Sequence, residues 1–580
     1  MSNYLAVLSI PKNAENQWLH KLSNVTKSNH HMLSHFTTIK VMNEVYHVVF
    51  DGELYNEAEL KSALRHKGVE RDVASTEEML VYAYRAWGHG MMNHLLGAFA
   101  FVIDAGKEVF VAKDQMGLRP IFYAQKKGMG IIIASRIKDI LATKAIKPIV
   151  DRKGIRELLS LGPSISENMT LYKGIAALPM GHYMVIKKNR IQIKKYYEPI
   201  SKPHFDTYED TAAHVKYLVE DAIMRQSKGC NATFLSGGLD SSIIAACLAK
   251  QGRPATYSLD YEGNSESFKG NMYQVSLDDE YIKQMAELTD SKHKKFTITQ
   301  EELRDELIPA LEARDLPGMA DVDSALLWLC KQVKKDRSVI MSGECSDEVF
   351  GGYPWFYREE LAHLDTFPWL RSTEERKKLF NEALSGMDID GYLKKQYKQT
   401  LQDITFLDSD SEDDKRARIH TILCLHWFMQ TLVTRQVCMG NDADVVIRAP
   451  FADVRILDYV YNIPWEMKFL NQEEKGILRK AFENELPNEV AHRKKNPFPK
   501  THNPKYCELM KEKLQCSYDD PNSVLHLLFD DEALKELIET GGDAFPLPWY
   551  GQLMSGPQLL AYLYQIDQWF KIAKPTLRLS

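Results

Sequence analysis

The segment Ser236-Gly237-Gly238-Leu239-Asp240-Ser241-Ser242 separates two apolar runs, Ala232 to Leu235 and Ile243 to Leu248. A short apolar run, a glycine pair and a second apolar run read as a buried strand, a sharp turn and a helix. The first amides of such a helix have no intrahelical partner and point into the turn, where they form an anion site. The hydroxyls of Ser236, Ser241 and Ser242 add donors to it. Asp240 sits badly beside a phosphate unless a divalent cation lies between them, so the segment implies both.

A chain of 580 residues is too long for one core, and two large domains are expected. In residues 1–200, Tyr46 to Phe50, Ala98 to Asp104, Glu108 to Lys113 and Ile131 to Ala134 are apolar runs bounded by turn residues. Helices are expected near Glu57 to His66 and Thr76 to Trp87, giving a layered domain on an antiparallel sheet. Residues 201–210 are polar, contain Pro203 and read as a linker. From 211 to 580 longer helices alternate with short buried strands such as Ala255 to Leu259 and Ser338 to Met341. That pattern belongs to a central parallel sheet, whose ligands bind beyond the carboxyl ends of the strands. Asp408 to Asp414 reads as a solvated acidic loop, His420 to Leu432 as a buried helix, and Asn496 to Pro504 as a proline-rich loop.

The 73 basic and 79 acidic residues leave a net charge of −6 with no long basic block, which argues against general nucleic-acid binding. No run of eighteen apolar residues and no signal-peptide pattern occur, so no membrane association is expected. Eight cysteines lie scattered without CxxC or zinc spacing, as suits a reduced, cytoplasmic location. A homodimer is neither required nor excluded by these residues.

A second loop, Ser342-Gly343-Glu344-Cys345-Ser346-Asp347-Glu348, follows another apolar strand-like run. Asp240 and Asp347, from the ends of separate strands, are suited to share magnesium with pyrophosphate. Glu344 and Glu348 are further candidates, although acidic residues clustered this way also suit a helix N-terminus.

SGGLDSS matches the signature of the ATP pyrophosphatases, enzymes that cleave ATP between the α and β phosphates. More widely, the chain resembles the glutamine-dependent asparagine synthetase family. The matching strings are FDGELYN at 50–56, LLGAFAFVID at 95–104, KDQMGLRPIFYA at 113–124, TLYKGI at 170–175, LSGGLDSS at 235–242, SGECSDEVFGGYPWF at 342–356, IRAPFADVRILDYV at 447–460, EKGILRKAF at 474–482 and RKKNPFPKTHNP at 493–504. Relatives of that family include β-lactam synthetases and lasso-peptide cyclases. The resemblance implies an α/β protein: an N-terminal Ntn-type αββα domain, then an ATP-pyrophosphatase domain with a central parallel sheet and many helices. It also implies that a carboxylate is adenylated with ATP and Mg2+ and that nitrogen then attacks the acyl-adenylate. By the same resemblance, Ser236, Gly237, Gly238, Asp240, Ser241 and Ser242 hold pyrophosphate. Ser258, Ser342 and Gly343 line the nucleotide pocket, and Asp240 and Asp347 hold the metal. Lys475 approaches phosphate and the developing oxyanion, and Glu344 positions or deprotonates the incoming amine.

Departures from the family pattern fall in two groups. The family begins Met-Cys-Gly and uses the exposed cysteine on glutamine, whereas this chain begins Met1-Ser2-Asn3. A serine nucleophile would need its own amine free. The Arg-Gly-Pro-Asp segment is replaced by Ser28-Asn29-His30-His31-Met32, the Asn-Gly pair by Asp51-Gly52, and Asp-Thr-Glu by Ser75-Thr76-Glu77. A carboxylate at Asp51 repels a developing oxyanion, so no glutaminase activity is expected. The first domain is then structural, and nitrogen comes from free ammonia or an amine. The second group is Val437, Cys438 and Val446, which stand where the family carries charged residues. Their joint change predicts a less polar or larger acceptor pocket. The leading expectation is an ATP-dependent, AMP-forming amide ligase. Tailoring of a peptide or small natural product, with a peptide or carrier partner, is one alternative, and a nucleotide-binding pseudoenzyme is the other.

Overall fold

The computed structural model describes residues 5–8, 25–28, 31–34, 36–126, 130–188, 190–268 and 278–579. It comprises two compact units. The first is built from 1–154, 166–199 and 575–580, and the second from 155–165 and 200–574. The segment 155–165 therefore packs with the second unit, and the chain's last residues return to the first.

Among the described residues the first unit holds two antiparallel sheets of six strands each. One runs β11 (Ala176–Ala177), β8 (Phe122–Lys126), β9 (Gly130–Ala134), β1 (Leu5–Leu8), β3 (His31–Ser34) and β2 (Val25–Ser28). The other runs β13 (Arg190–Lys195), β12 (His182–Lys187), β7 (Val109–Lys113), β6 (Gly97–Asp104), β5 (Glu44–Leu54) and β4 (Thr37–Val41). Alternation along β6 decides the layering, because successive side chains leave a strand on opposite faces. Ala100 and Val102 join Ile121, Ile131 and Ile133 in one core between the sheets. Phe99, Phe101 and Ile103 face the other way and pack on Leu60, Leu64, Leu80 and Ala83 of the helices Glu57–His66 and Thr76–Trp87. Outside these sheets β10 (Ile149–Asp151) pairs in parallel with β19 (Thr576–Arg578).

The surviving string KDQMGLRP forms the turn after β7. Asp114 is fully buried and accepts the backbone amides of Phe99 (3.2 Å), Met116 (3.0 Å), Leu118 (2.9 Å) and Arg119 (3.2 Å). Its role is to close a turn that would otherwise leave buried N–H groups unpaired.

The second unit is organised round a five-stranded, all-parallel sheet. Its order is β16 (Lys292–Ile298), β15 (Ala255–Tyr261), β14 (Ala232–Phe234), β17 (Val339–Met341) and β18 (Val446–Arg448). In chain order this is 3-2-1-4-5, so the direction of winding reverses between β14 and β17. Open sheets of this kind bind ligands at that reversal, beyond the carboxyl ends of the strands. The two glycine loops singled out in the sequence follow β14 and β17, the two strands that flank it.

Asp408 to Asp414 is not a free loop. Ser411 and Asp414 form a reciprocal capping box at the start of the helix Glu412–Leu423, and Asp410 holds the buried Arg418 at 3.0 Å. The acidic residues serve the positive end of a helix dipole. That helix continues through a wider π turn, Cys424–Phe428, into the helix Met429–Asp442. Among the described residues no helix is long and apolar enough to cross a membrane.

Candidate active site

The turn after β14 needs its first glycine. Gly237 has φ +66°, and a side chain there would bring its Cβ to 2.6 Å from Tyr281 Cβ. Gly238 is the N-cap of the helix Leu239–Ala249 and offers no side-chain acceptor, so the first helical amides stay uncapped by it. The serines brace the turn from within. Ser241 Oγ accepts from Ser236 N at 3.2 Å and donates to Gly238 O at 3.2 Å.

A cavity of about 220 Å³ opens beside this turn, lined by Ser236, Gly238, Asp240 and Ser241 from the first loop and by Ser342, Gly343, Glu344, Asp347 and Glu348 from the second. Gly237 and Ser242 do not line it. Gly237 packs against Tyr281, and Ser242 is fully buried on the inner side of the helix with its hydroxyl unpartnered. The sequence reading counts the Ser242 hydroxyl among the phosphate donors, but a helical period turns it towards the core.

At the cavity's charged end, Lys475 joins the two predicted metal carboxylates. Its Nζ lies 2.7 Å from Asp240 Oδ1 and 2.6 Å from Asp347 Oδ1, with only 3% of its side chain exposed. Lys495 Nζ holds the other Asp347 oxygen at 2.6 Å, and Ser346 Oγ donates to Asp240 at 2.6 Å. Burial alone would raise the Asp347 carboxyl, but the two ammonium groups hold it well below its ordinary value. Lys495 is raised in return: desolvation would lower it, but the charges of Asp347, Asp240 and Glu344 together outweigh that.

The backbone is bent to make this cluster. Lys475 at φ 59° and Cys345 at φ 76° both occupy the left-handed region, which costs a side-chain-bearing residue about 1 kcal/mol or more. Close packing selects the glycines. A Cβ on Gly343 would stand 2.8 Å from Asp240 Cβ, and one on Gly352 only 2.1 Å from Asp347 Oδ1.

Glu344 lies on the cavity wall, where Arg435 Nη2 donates to it at 2.5 Å while the guanidinium stacks 5.0 Å from the ring of Phe498. Glu348 contrasts with its neighbour Asp347. Burial, together with the charges of Asp347 and Glu344, pushes its carboxyl up to about 8, and Tyr353 OH donates to it at 2.9 Å. Ser258, on β15, lines the cavity, with Oγ 3.1 Å from His293 Nε2. Ser342 donates its amide to Arg448 O at 2.8 Å, and its Oγ accepts from Glu344 N at 3.3 Å.

Val437, Cys438 and Val446 stand elsewhere. On the helix Met429–Asp442 the cavity receives Leu432, Arg435 and Gln436, spaced three and four apart on one face. Val437 and Cys438 are turned away from that face. Val446 opens β18 at its amino end, opposite to the carboxyl ends where the cavity lies. Lys495 and Arg493 are the residues that sequence reasoning leaves unassigned. Arg493 reaches Ser236 O at 3.1 Å and Asp278 at 2.5 Å. Their signal is the basic start of the RKKNPFPK string, which the resemblance matches as a whole without dividing it into roles.

In the first unit, Ser75 caps the helix Thr76–Trp87 by accepting from Glu78 N at 3.2 Å. Asp51 lies in β5 opposite Ala100 and is 4% exposed; burial raises its carboxyl, against the opposing pull of Arg119. Ser2 lies outside the described residues, as do Asn29 and His30.

Two family models match the chain: residues 214–571 match asparagine synthase, and residues 38–197 a glutamine amidotransferase domain. Asparagine synthetase (glutamine-hydrolyzing) 3 of Bacillus subtilis (strain 168) is 42% identical over 539 residues, which cover 91% of this chain and 87% of that protein. Asparagine synthetase (glutamine-hydrolyzing) 1 of the same organism is 28% identical, covering 79% and 76%. A putative asparagine synthetase (glutamine-hydrolyzing) of Mycobacterium bovis is 26% identical, covering 78% and 74%. The protein is thus an ATP-dependent carbon–nitrogen ligase, with an amidotransferase-type unit ahead of its synthetase unit. It belongs to the asparagine synthase family.

Proposed function

We propose that the enzyme adenylates a carboxylate with ATP, releases pyrophosphate and transfers the acyl group to ammonia or an amine without using glutamine. The observation that carries this reading is the convergence of Asp240 and Asp347 on Lys475, beside a glycine loop that lines the same cavity. Ser236, Gly238 and Ser241 cradle the polyphosphate. The carboxylate oxygen attacks the α-phosphorus, the bond to the bridging oxygen breaks, and pyrophosphate leaves as Lys475 and Lys495 offset its charge. Glu344 then takes the proton that the incoming nitrogen must lose, and AMP departs as the amide forms.

Asp240 and Asp347 fit magnesium. Two carboxylates suit an ion that takes its remaining ligands from phosphate and water. When bound, magnesium would supply further neutralisation of the pyrophosphate charge.

The relatives carry "glutamine-hydrolyzing" in their names. Against that activity here stand Asp51, a buried acid in place of an amide donor, and Ser75, whose hydroxyl accepts a bond from its own helix. The test supplies ATP, magnesium and a panel of acids with ammonia or with glutamine. Pyrophosphate and an amide should form with ammonia or an amine. Glutamate released from glutamine would overturn the second half of the reading. A peptide or small natural-product acid is a second reading of the substrate, favoured by Met319, Phe428, Leu432, Phe498 and Leu553 on the cavity wall. Product mass with aspartate against larger acids separates the two.

A further inference from the structure

We infer that His293 is a positioning residue for the nucleotide: through its hydrogen bond to Ser258 it fixes whether that hydroxyl donates or accepts towards the base. The inference rests on the proposed reading of Ser258 as a nucleotide-pocket residue. β15 and β16 are adjacent and parallel, with Thr256 opposite His293. Both ring nitrogens are engaged: Nδ1 lies 3.0 Å from Thr256 Oγ1, and Nε2 lies 3.1 Å from Ser258 Oγ. Thr256 Oγ1 lies in turn 2.9 Å from Ser291 Oγ. Ser291, Thr256, His293 and Ser258 thus form one chain of hydrogen bonds that ends at the cavity. Thr256 is fully buried and Ser258 is 3% exposed, so the hydroxyls on either side of the ring are shielded from water.

A neutral imidazole carries one N–H, and the nitrogen that bears it sets the direction of the whole chain. With the proton on Nδ1, Nε2 accepts from Ser258, whose oxygen then offers the cavity only lone pairs. With the proton on Nε2, Ser258 is free to donate outward. Burial, with the neighbouring Lys295 ammonium, lowers the imidazole from its ordinary value and favours this neutral form, against the smaller opposing pull of Asp279. Lys295 is itself tied to Asp260 at 2.7 Å and to Asp279 at 2.8 Å. Beside Ser258 the cavity is lined by Leu235, Leu259 and Ile282, apolar side chains that suit a planar base. Adenine and guanine present opposite donor and acceptor patterns on the edge that carries position 6. A hydroxyl held in one sense therefore discriminates between them.

The experiment is calorimetric binding of Mg·ATP and Mg·GTP to the full chain, which needs no knowledge of the carboxylate. Wild type should prefer ATP. His293→Phe should weaken ATP about tenfold and narrow the ATP-to-GTP ratio. His293→Gln, whose amide can bond Ser258, should restore most of the ratio. Ser258→Ala should reproduce His293→Phe, and the double variant should add nothing further. Unchanged ATP affinity in Ser258→Ala would sink the pocket reading itself. If Ser258→Ala weakens ATP while both His293 variants bind like wild type, the positioning role is overturned. Equal weakening of ATP and GTP by His293→Phe with no rescue by Gln also overturns it, because that is the mark of a purely structural residue. Should His293→Phe not fold, the Gln variant and His293→Asn carry the same comparison, and the ratio in either must differ from that in Ser258→Ala.

Discussion

In the first unit the acidic turn residue Asp114 is surrounded by four backbone amides and needs nothing from outside the fold. In the second, Asp240 and Asp347 face a shared lysine whose own backbone is strained. Both arrangements satisfy buried carboxylates, but by different means. Amides of a closing turn are present in any folded state, and what they leave unbalanced at Asp114 is desolvation, which raises its carboxyl. A left-handed lysine between two acids adds strain and desolvation that replacement by apolar groups would remove. Residues of the first kind are explained by folding alone. Those of the second kind call for a ligand that uses the charges.

The largest effect expected from this contrast is at Lys475. Lys475→Met should lower pyrophosphate release by about a thousandfold, the scale of losing a group aimed at developing charge. It should also destabilise the unit by about 3 kcal/mol, since two buried carboxylates lose their common partner. Asp114→Asn should do the reverse, shifting the urea midpoint while leaving turnover intact. An Asp114 variant that folds normally and loses turnover would break the comparison.

Gly352→Ala sharpens it within the second unit. The added methyl would sit 2.1 Å from Asp347 Oδ1 and 2.3 Å from Lys475 Cε, so the acid and the lysine must part. Displacements of about 1 Å in a reacting constellation cost on the order of a hundredfold, and kcat should fall on that scale. Gly343→Ala, with a nearest contact of 2.8 Å, should cost less.

Much of this was legible in the chain. The strand–glycine–helix pattern around Ser236, the second loop after an apolar run and the apolar run along 98–104 each follow from local pattern, and each forms where that pattern places it. What escaped was direction. Ser242 belongs to the motif by spacing, yet its place on the helix turns it inward. Val437 and Cys438 flank Arg435 and Gln436 in sequence but leave the helix on other faces, and a family string does not carry the phase of the helix. Lys495 escaped for a different reason, because its partner Asp347 is distant in sequence and only the folded sheet brings them together.

Asp347 and Glu348 are adjacent in sequence and titrate in opposite senses. Asp347 is depressed from 3.8 to about 2, so its contribution to stability is present above about pH 4 and is lost as pH falls through about 2. Glu348 is raised from 4.5 to about 8; the folded protein keeps a proton that the unfolded chain gives up. Its contribution is complete below about pH 4.5 and is lost as pH rises through about 8. A tenfold change in proton affinity corresponds to about 1.4 kcal/mol, so a carboxyl raised from 4.5 to about 8 accounts for at most about 5 kcal/mol. Urea unfolding should show that slope between pH 5 and pH 8, and Glu348→Gln should flatten it.

Ser75→Ala is the smallest test and bears on the other side of the comparison. If Ser75 serves only as the cap that accepts from Glu78 N, its removal costs the first unit about 1 kcal/mol, the usual value for a helix N-cap. Thermal unfolding of the full chain should register that loss, while ammonia-supported pyrophosphate release stays at the wild-type rate. Glutamate release from glutamine should be undetectable before and after the change. A helix cap and a substrate anchor are different uses of one hydroxyl oxygen, and the cap is the use this fold makes of it. A fall in any glutamine-dependent rate on Ser75→Ala, at unchanged stability, would show that this hydroxyl serves chemistry and would remove the distinction between the units.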